Sequence, residues 1–240
     1  MPIADKLLPF DLDRSRHAAP QVFDRLRVGI VSLVLEPGEV LQRAELAEAF
    51  GLSQTPVRDA LMRLGEEGLV DIYPQHATLV SKIDVASARQ AHFLRRSVEA
   101  EIVRGLALAP DPALIERLRA LVDRQARLAR SATEVEAFAA ADLAFHQALY
   151  ESAAVLQVWA LIRRQSGHVD RLRRLHLPVK GKMQEVVRDH RRIVDAIAAG
   201  DPLAAAECLR EHLSGTLAQV EAIRLRHPSY LTGFDRQPKV

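Results

Sequence analysis

The chain has a single cysteine, Cys208, among its 240 residues. No internal disulfide is available, so apolar burial has to hold the fold, as expected of a protein kept in a reducing cytoplasm. Aromatic residues are scarce at 5%, and no run of ~18 or more uncharged apolar residues is present to cross a bilayer, so no membrane role is expected. The opening MPIADKLLPFDLDRSRH carries acidic residues and lacks a long apolar segment or a small-residue cleavage site, which argues against secretion. Neither sign of charge dominates: 33 Lys and Arg face 31 Asp and Glu. The first 82 residues hold nine basic against twelve acidic side chains, net −3, and the remainder holds 24 against 19, net +5. Bulk charge is therefore no argument for nucleic-acid binding. Affinity for phosphates must come from a local face, with Arg58, Arg63, Arg43 or Lys82 and helix N-termini as its sources.

What is present is an ordinary globular composition, 48% hydrophobic and 27% charged, in a chain long enough for two domains with separate cores. The stretch ELAEAFGLSQTPVRDALMRLGEEGLVDIYPQHATLV, Glu45 to Val80, packs the most signals into the fewest residues. Leu46, Ala47, Phe50 and Leu52 give one helix an apolar face that stops at Gly51, a residue able to take the left-handed conformation. Ser53 or Thr55 can cap a second helix, and Pro56 sits in its first turn, where a missing N–H costs nothing. Val57, Ala60, Leu61 and Leu64 turn inward at helical spacing and leave Gln54, Thr55, Arg58, Asp59 and Met62 on other faces. Leu69 to Tyr73, a break at Pro74-Gln75-His76, and Ala77 to Lys82 read as a two-stranded wing. Before them, Pro20 to Leu35 reads as an amphipathic helix with Val22, Leu26, Ile30, Leu33 and Val34 inward, closed by Glu36-Pro37-Gly38. This layout suits a DNA major groove, although periodicity alone fits equally a unit whose ribbon serves only a core.

From a capping Asp84 onward the periodicity is helical almost to the end, with no internal repeat and no Gly/Ser-rich linker. Six helices are expected: Val85 to Leu108, Pro112 to Arg130, Thr133 to Ser152, Val155 to Leu175, Val179 to Ala199 and Pro202 to Arg226. The fold class is thus mainly α. It comprises an N-terminal arm (1–19), a winged helix-turn-helix (20–82), an all-α bundle of about six helices (84–226) and a loosely held tail (227–240).

Four residues of the bundle carry metal-ligand chemistry. Asp142 and His146 lie four apart on one helix and face the same way, while His190 and His212 stand in the apolar patterns of two others. Any one histidine reads as well as a satisfied core or surface residue; three with a carboxylate, on three helices, match the way bundles build metal sites. Other features have plainer readings. Cys208, four before His212, reads as a small buried hydrophobe rather than a pocket-lining thiol, Trp159 fills core or a dimer interface, and the run Arg163, Arg164, Arg171, Arg173 and Arg174 reads as a solvated helix face, with contact to ligand or DNA the alternative.

The first unit resembles the winged helix-turn-helix of the GntR superfamily of bacterial transcription regulators, whose pattern runs roughly LA-x-x-(L/F)-G-(V/L)-S-R-T-P-V-R-(E/D)-A-L-x-x-L-x-x-E-G-L-(V/I). From Leu46 to Val70 the chain follows it, departing at Gln54, where the family has arginine, and at Ala77, where the wing tip usually has glycine. An amide at position 54 favours adenine over guanine in the major groove. The resemblance implies operator contacts from Gln54, Thr55, Arg58 and His76. In the bundle, DLAFHQALY (142–150) and RDHRRIVDAIAAGDPLAAAECLREHL (188–213) are similar to the FCD effector domain of the FadR-like branch. That likeness implies Asp142, His146, His190 and His212 as ligands of a divalent cation, with Zn(II) the default and Ni(II) or another first-row ion compatible. It also places Arg95, four before Glu99 in AHFLRRSVEAE, against a carboxylate effector. The plainer alternative is a surface arginine paired with Glu99. Expected overall is a homodimeric, ligand-responsive repressor on a palindromic operator, with no catalytic residue. A metal-dependent hydrolase or lyase carrying a DNA-binding module, and a regulator with a purely structural ion, are the alternatives.

Overall fold

A computed structural model describes residues 3–7, 10–74, 76–131 and 133–233. They form two compact units, Met1–Ala88 with Arg224–Val240, and Arg89–Ile223.

The first unit contains helices α1 (Ile3–Leu7), α2 (Ala18–Val31), α3 (Arg43–Phe50) and α4 (Gln54–Glu66), followed by strands β1 (Val70–Tyr73) and β2 (Ala77–Val80). Val22, Leu26 and Ile30 of α2, Leu46 and Phe50 of α3, and Val57, Ala60, Leu61 and Leu64 of α4 share one buried core. Apart from Ala60, each such side chain contributes about 1.5–3 kcal/mol on full burial. Gly51 ends α3 in the left-handed conformation at φ 63°, as its position implied. Ser53 takes the N-cap position of α4, one of the two expected, but makes no side-chain capping bond. Strand β1 pairs antiparallel with β2 in the register Val70↔Val80 to Tyr73↔Ala77, the expected wing. Gln75, at its tip, lies outside the described residues.

Three expectations for this unit need correction. Helix α2 stops at Val31 because Leu33 turns to φ 64° and the Leu35 N–H bonds to the Gly29 carbonyl, so Leu35 is buried in place of Leu33 and Val34. The N-terminal residues are more than an arm, since Ile3 and Leu7 of α1 are buried in the core and Phe10 meets the Phe50 ring edge-on at 5.4 Å. The tail is held at its start: strand β4 (Leu231–Thr232) pairs in parallel with β3 (Ile83–Asp84), burying Leu231. Residues 234–240 lie outside the described residues.

Asp84 then caps α5 (Val85–Leu108), its Oδ1 accepting from the Ala86 N–H at 2.9 Å. The second unit continues with α6 (Pro112–Leu128), α7 (Val135–Ser152), α8 (Leu156–Gln165), α9 (Gly167–His176), α10 (Lys182–Ala198), α11 (Pro202–Ser214) and α12 (Val220–Arg226). Two of the six expected helices are broken. Ser166 separates α8 from α9, its hydroxyl bonding the Ile162 carbonyl at 2.7 Å ahead of a glycine, a pair that favours a break. Ser214-Gly215 ends α11 before a short 3-10 turn at Leu217–Gln219 and α12. Helix α10 packs on α11 and α6, and α6 on α7. The stripe Met183, Val186, Val187, Ile193, Val194 and Ile197 gives α10 its buried face, and His190 sits in the middle of it. No helix is long and apolar enough to cross a membrane among the described residues.

Candidate functional site

The bundle core contains a polar interior. Helix α7 supplies Asp142 and His146, α10 supplies His190 and α11 supplies His212; all four are buried, and one ligand atom from each lies within 4.8 Å of the others. His190 Nε2 is 3.1 Å from His212 Nε2, which is 3.3 Å from His146 Nε2. Three ring nitrogens converge, and two of the opposite nitrogens are anchored outward. His146 Nδ1 lies 2.8 Å from Glu99 Oε2, and His190 Nδ1 lies 2.7 Å from Gln125 Oε1. The Gln125 amide donates to the Ala141 carbonyl at 3.1 Å, which turns its oxygen toward the imidazole. Acceptors there fix Nδ1 as the protonated nitrogen and aim the Nε2 lone pairs inward. Phe145 stacks on His190 with centroids 4.0 Å apart and holds that ring. His212 Nδ1 lies 3.5 Å from Asp189 Oδ2, within ion-pair reach but without a hydrogen bond.

Electrostatics favour neutral rings. Burial pushes His146 down to about 4, more than Glu99 restores, and drives His190 well below its ordinary value, with His212 beside it adding to the effect. Both imidazoles are therefore neutral at pH 7 and free to donate a lone pair. Burial alone would raise the Asp142 and Glu99 carboxyls, but Arg173 beside the first and Arg95 beside the second, joined by the histidines, hold both well below the carboxylate range. Arg173 donates to Asp142 Oδ2, while Asp142 Oδ1 is buried with no hydrogen-bond partner. A neutral-imidazole and carboxylate set with an unsatisfied inward oxygen fits a divalent first-row cation.

A small cavity adjoins His212, about 30 Å³ in volume and lined in part by His92, Arg95, Arg173, His176 and Lys182. Arg95 is not on the surface: its residue is 4% exposed, its Nε donates to Glu99 Oε1 at 2.6 Å, and its Nη2 is buried without a partner. The Glu99 pairing expected of a surface arginine thus coexists with a free donor in the wall. Helix α9 is not a solvated basic face either. Arg171 is fully buried, Arg173 reaches Asp142, Arg174 pairs with Glu136, and Arg163 pairs with Asp170 at 2.7 Å.

Glu99 as anchor of His146, Gln125, Arg173 and Lys182 were missed in the sequence reading. Gln125 was findable, since it follows Leu114, Leu118 and Val122 on the buried face of α6, where a polar residue needs a reason. Arg173 was not, because its neighbours are also arginines and no periodicity separates it from them.

In the first unit, Gln54 and Arg58 of α4 line a cleft with Arg43, Tyr73, His76 and Thr78. Thr55 is exposed at the start of α4 but does not line that cleft. Arg58 is well exposed and leans on Asp59 at 3.3 Å, a contact weak enough to yield to a phosphate or a base. Arg63 lies over the Phe23 ring at 4.3 Å.

The family model for bacterial regulatory proteins of the gntR family matches residues 18–80, and that of the FCD domain matches residues 90–215. The chain belongs to the GntR family, with an FCD domain. It is 37% identical over 207 residues, 86% of each chain, to an uncharacterized HTH-type transcriptional regulator in an unstable DNA locus of Streptomyces ambofaciens. It is 28% identical over 221 residues, 92% of this chain and 96% of the relative, to the HTH-type transcriptional repressor RspR of Escherichia coli (strain K12). Among solved structures, E. coli McbR/YncC shares the fold with a TM-score of 0.72 at 19% identity, over 88% of this chain and 99% of that one. This GntR-family chain is thus a transcription regulator whose head is a DNA-binding domain.

Proposed function

We propose that the protein is a ligand-responsive repressor that binds a palindromic operator as a homodimer. Its bundle would hold a divalent cation through Asp142, His146, His190 and His212, with a small organic carboxylate as effector. The observation that carries this reading is the convergence of those four ligand atoms, with two of the histidines anchored from behind by Glu99 and Gln125. Bound there, the ion supplies Lewis-acid attraction for a carboxylate oxygen, with Zn(II) the default from abundance and Ni(II) compatible. Arg95 lines the adjoining cavity and keeps a buried, unpartnered Nη2, which suits it to receive the acid. Two-fold symmetry would set two α4 helices about one DNA turn apart, with Gln54, Thr55, Arg58 and His76 meeting the operator. An acid that binds one arrangement of the helices better than another changes operator affinity by that difference in binding energy.

The test is metal analysis of the purified full chain, then operator titration by fluorescence anisotropy with and without a panel of carboxylates, before and after chelation. Stoichiometric metal with acid-dependent operator affinity is the expected result. Protein indifferent to chelators, with no duplex preferred over random sequence, overturns the reading. Turnover of a carboxylate substrate instead of release from DNA would favour a metal-dependent enzyme.

A further inference from the structure

Strands β3 and β4 bracket the bundle in sequence. The chain leaves the head through β3 and α5, runs through the helices of the second unit, and returns at β4 to pair with the residues it left from. It crosses between the units twice, within α5 after Ala88 and within α12 after Ile223, and the residues from Arg224 onward group with the head. Three features fix the returning segment there. The Ile83 N–H donates to the Tyr230 carbonyl at 2.8 Å, and buried Leu231 stands in register with buried Ile83. The Tyr230 phenol donates to the carboxylate of Glu36, in the turn that follows α2. Gly233 takes φ 80°, and a Cβ on it would collide with Asp84 Oδ1, so glycine is what lets the segment close on the residue that caps α5.

These features flank the wing. Just after Glu36, the Gly38 N–H donates to the Val80 carbonyl and the Glu39 carbonyl accepts from the Val80 N–H, both at 2.8 Å, so this stretch is laddered onto β2. Ile83 follows β2 after Ser81 and Lys82, while Ala77 and Thr78 of β2 line the cleft that holds Gln54 and Arg58. The returning segment therefore holds β2 both from its side and at its exit. Its grip is slight. Two ladder positions, one leucine and one phenol are set against the ordering of four residues, and Ile83 and Leu231 stand apart from the core that α2, α3 and α4 share. The segment can open while the head stays folded.

We propose that residues 230–233 are a latch on DNA binding: docked, they hold the wing in the pose that meets a duplex beside α4, and their release weakens that binding. The inference rests on the head as a DNA-binding domain and is independent of the metal reading.

The experiment uses the full chain and a duplex that the wild type selects from a random pool. Gly233→Ala sets a methyl against Asp84 in a backbone conformation alanine resists, and should open the latch. Tyr230→Phe removes only the bond to Glu36 and should open it less. Hydrogen exchange of the Ile83 amide reads the docked segment, and that of the Leu69 amide, bonded to the Leu64 carbonyl at 2.9 Å, reads the head core. In Gly233→Ala the Ile83 amide should exchange faster and duplex affinity should fall, each by about fivefold or more, the lower end of coupling between linked sites. Leu69 should exchange at the wild-type rate. Because such coupling is reciprocal, the duplex should slow Ile83 exchange in the wild type by the factor that opening costs in affinity. Faster Ile83 exchange with unchanged duplex affinity overturns the proposal, and so does unchanged Ile83 exchange. Equal acceleration of Ile83 and Leu69 also overturns it, since the head would then simply be less stable. Should Gly233→Ala fail to fold, Tyr230→Phe carries the same comparison at smaller amplitude. If the wild type selects no sequence, the operator reading falls, and the latch is judged by the same comparison on the unselected pool.

Discussion

The two units place their chemistry in opposite locations. Among the described residues, the buried polar side chains of the head are Gln21 and Ser81 only, and its DNA-facing candidates Gln54, Thr55, Arg58 and His76 are all exposed. In the bundle fourteen polar or charged side chains are buried, from Arg95 to Thr216, and the candidate ligands are among them. A groove is read from outside, so the head can afford an apolar core that fixes the pose of its surface. A small anion, as proposed for the bundle, would be enclosed, which requires polar groups in the interior; most are paired, Asp142 Oδ1 and Arg95 Nη2 are not, and such burial lowers stability. Surface substitutions should therefore move operator binding without moving stability, and interior ones should do the reverse.

The largest expected effect is on metal binding. His190→Ala should take metal content from about one ion per chain to near none and remove any response to acids, while basal operator binding persists. Loss of DNA binding in that variant would break the comparison, since it would make the head depend on the bundle's interior. Next comes Glu99→Gln, which leaves Arg95 buried opposite a neutral amide and should cost about 3–5 kcal/mol of bundle stability. The same change should weaken metal affinity by about 10–100-fold, because the group behind His146 is altered. Trp159, the single tryptophan, packs in the bundle against Tyr150 with centroids 5.1 Å apart. Its fluorescence during urea unfolding in the presence of chelator reports the bundle alone. A midpoint equal to that of the wild type would refute the assignment of Glu99 as a buried counter-charge.

The contrast also explains what the sequence disclosed. The head was legible almost residue by residue, because its periodicity and its turn residues agree: Gly51 falls at the left-handed stop and the wing falls where alternation resumes. Of its misreadings, that of Leu33 and Val34 as core arose because the exit from α2 depends on a backbone bond from Leu35 to Gly29 that no side-chain pattern encodes. In the bundle the helix starts at Asp84, Pro112 and Pro202 were legible from caps and prolines, and the metal-ligand candidates from their apolar neighbours. What sits behind them was not. Glu99 approaches His146 across 47 residues, Gln125 approaches His190 across 65, and Arg173 approaches Asp142 across 31. Such pairings are set by helix packing, which a single sequence does not reveal. The arginine run on α8 and α9 shows the same limit, since its charged side chains read as solvated until their partners are placed.

Smaller effects sharpen the distinction between exterior and interior. Arg58→Ala should cost about 1–3 kcal/mol of operator affinity if its guanidinium reads a base, and leave metal content and the Trp159 transition unchanged. If the loss is instead uniform over operator and random duplex and shrinks with added salt, Arg58 contacts a phosphate.

The finest test is Asp201→Ala. Asp201 caps the helix that carries His212, its Oδ1 accepting from the Leu203 N–H at 3.1 Å and the Ala204 N–H at 2.9 Å. Losing the cap should cost about 1 kcal/mol. That loss should appear as a lower urea midpoint for Trp159 fluorescence, with metal stoichiometry and operator affinity unaltered. Because the cap lies eleven residues before His212 on an exposed helix end, it changes how long α11 survives and not where its imidazole points. A drop in metal affinity larger than the drop in stability would mean that the start of α11 also positions His212, and the bundle's anchoring would then extend beyond the acceptors behind its histidines.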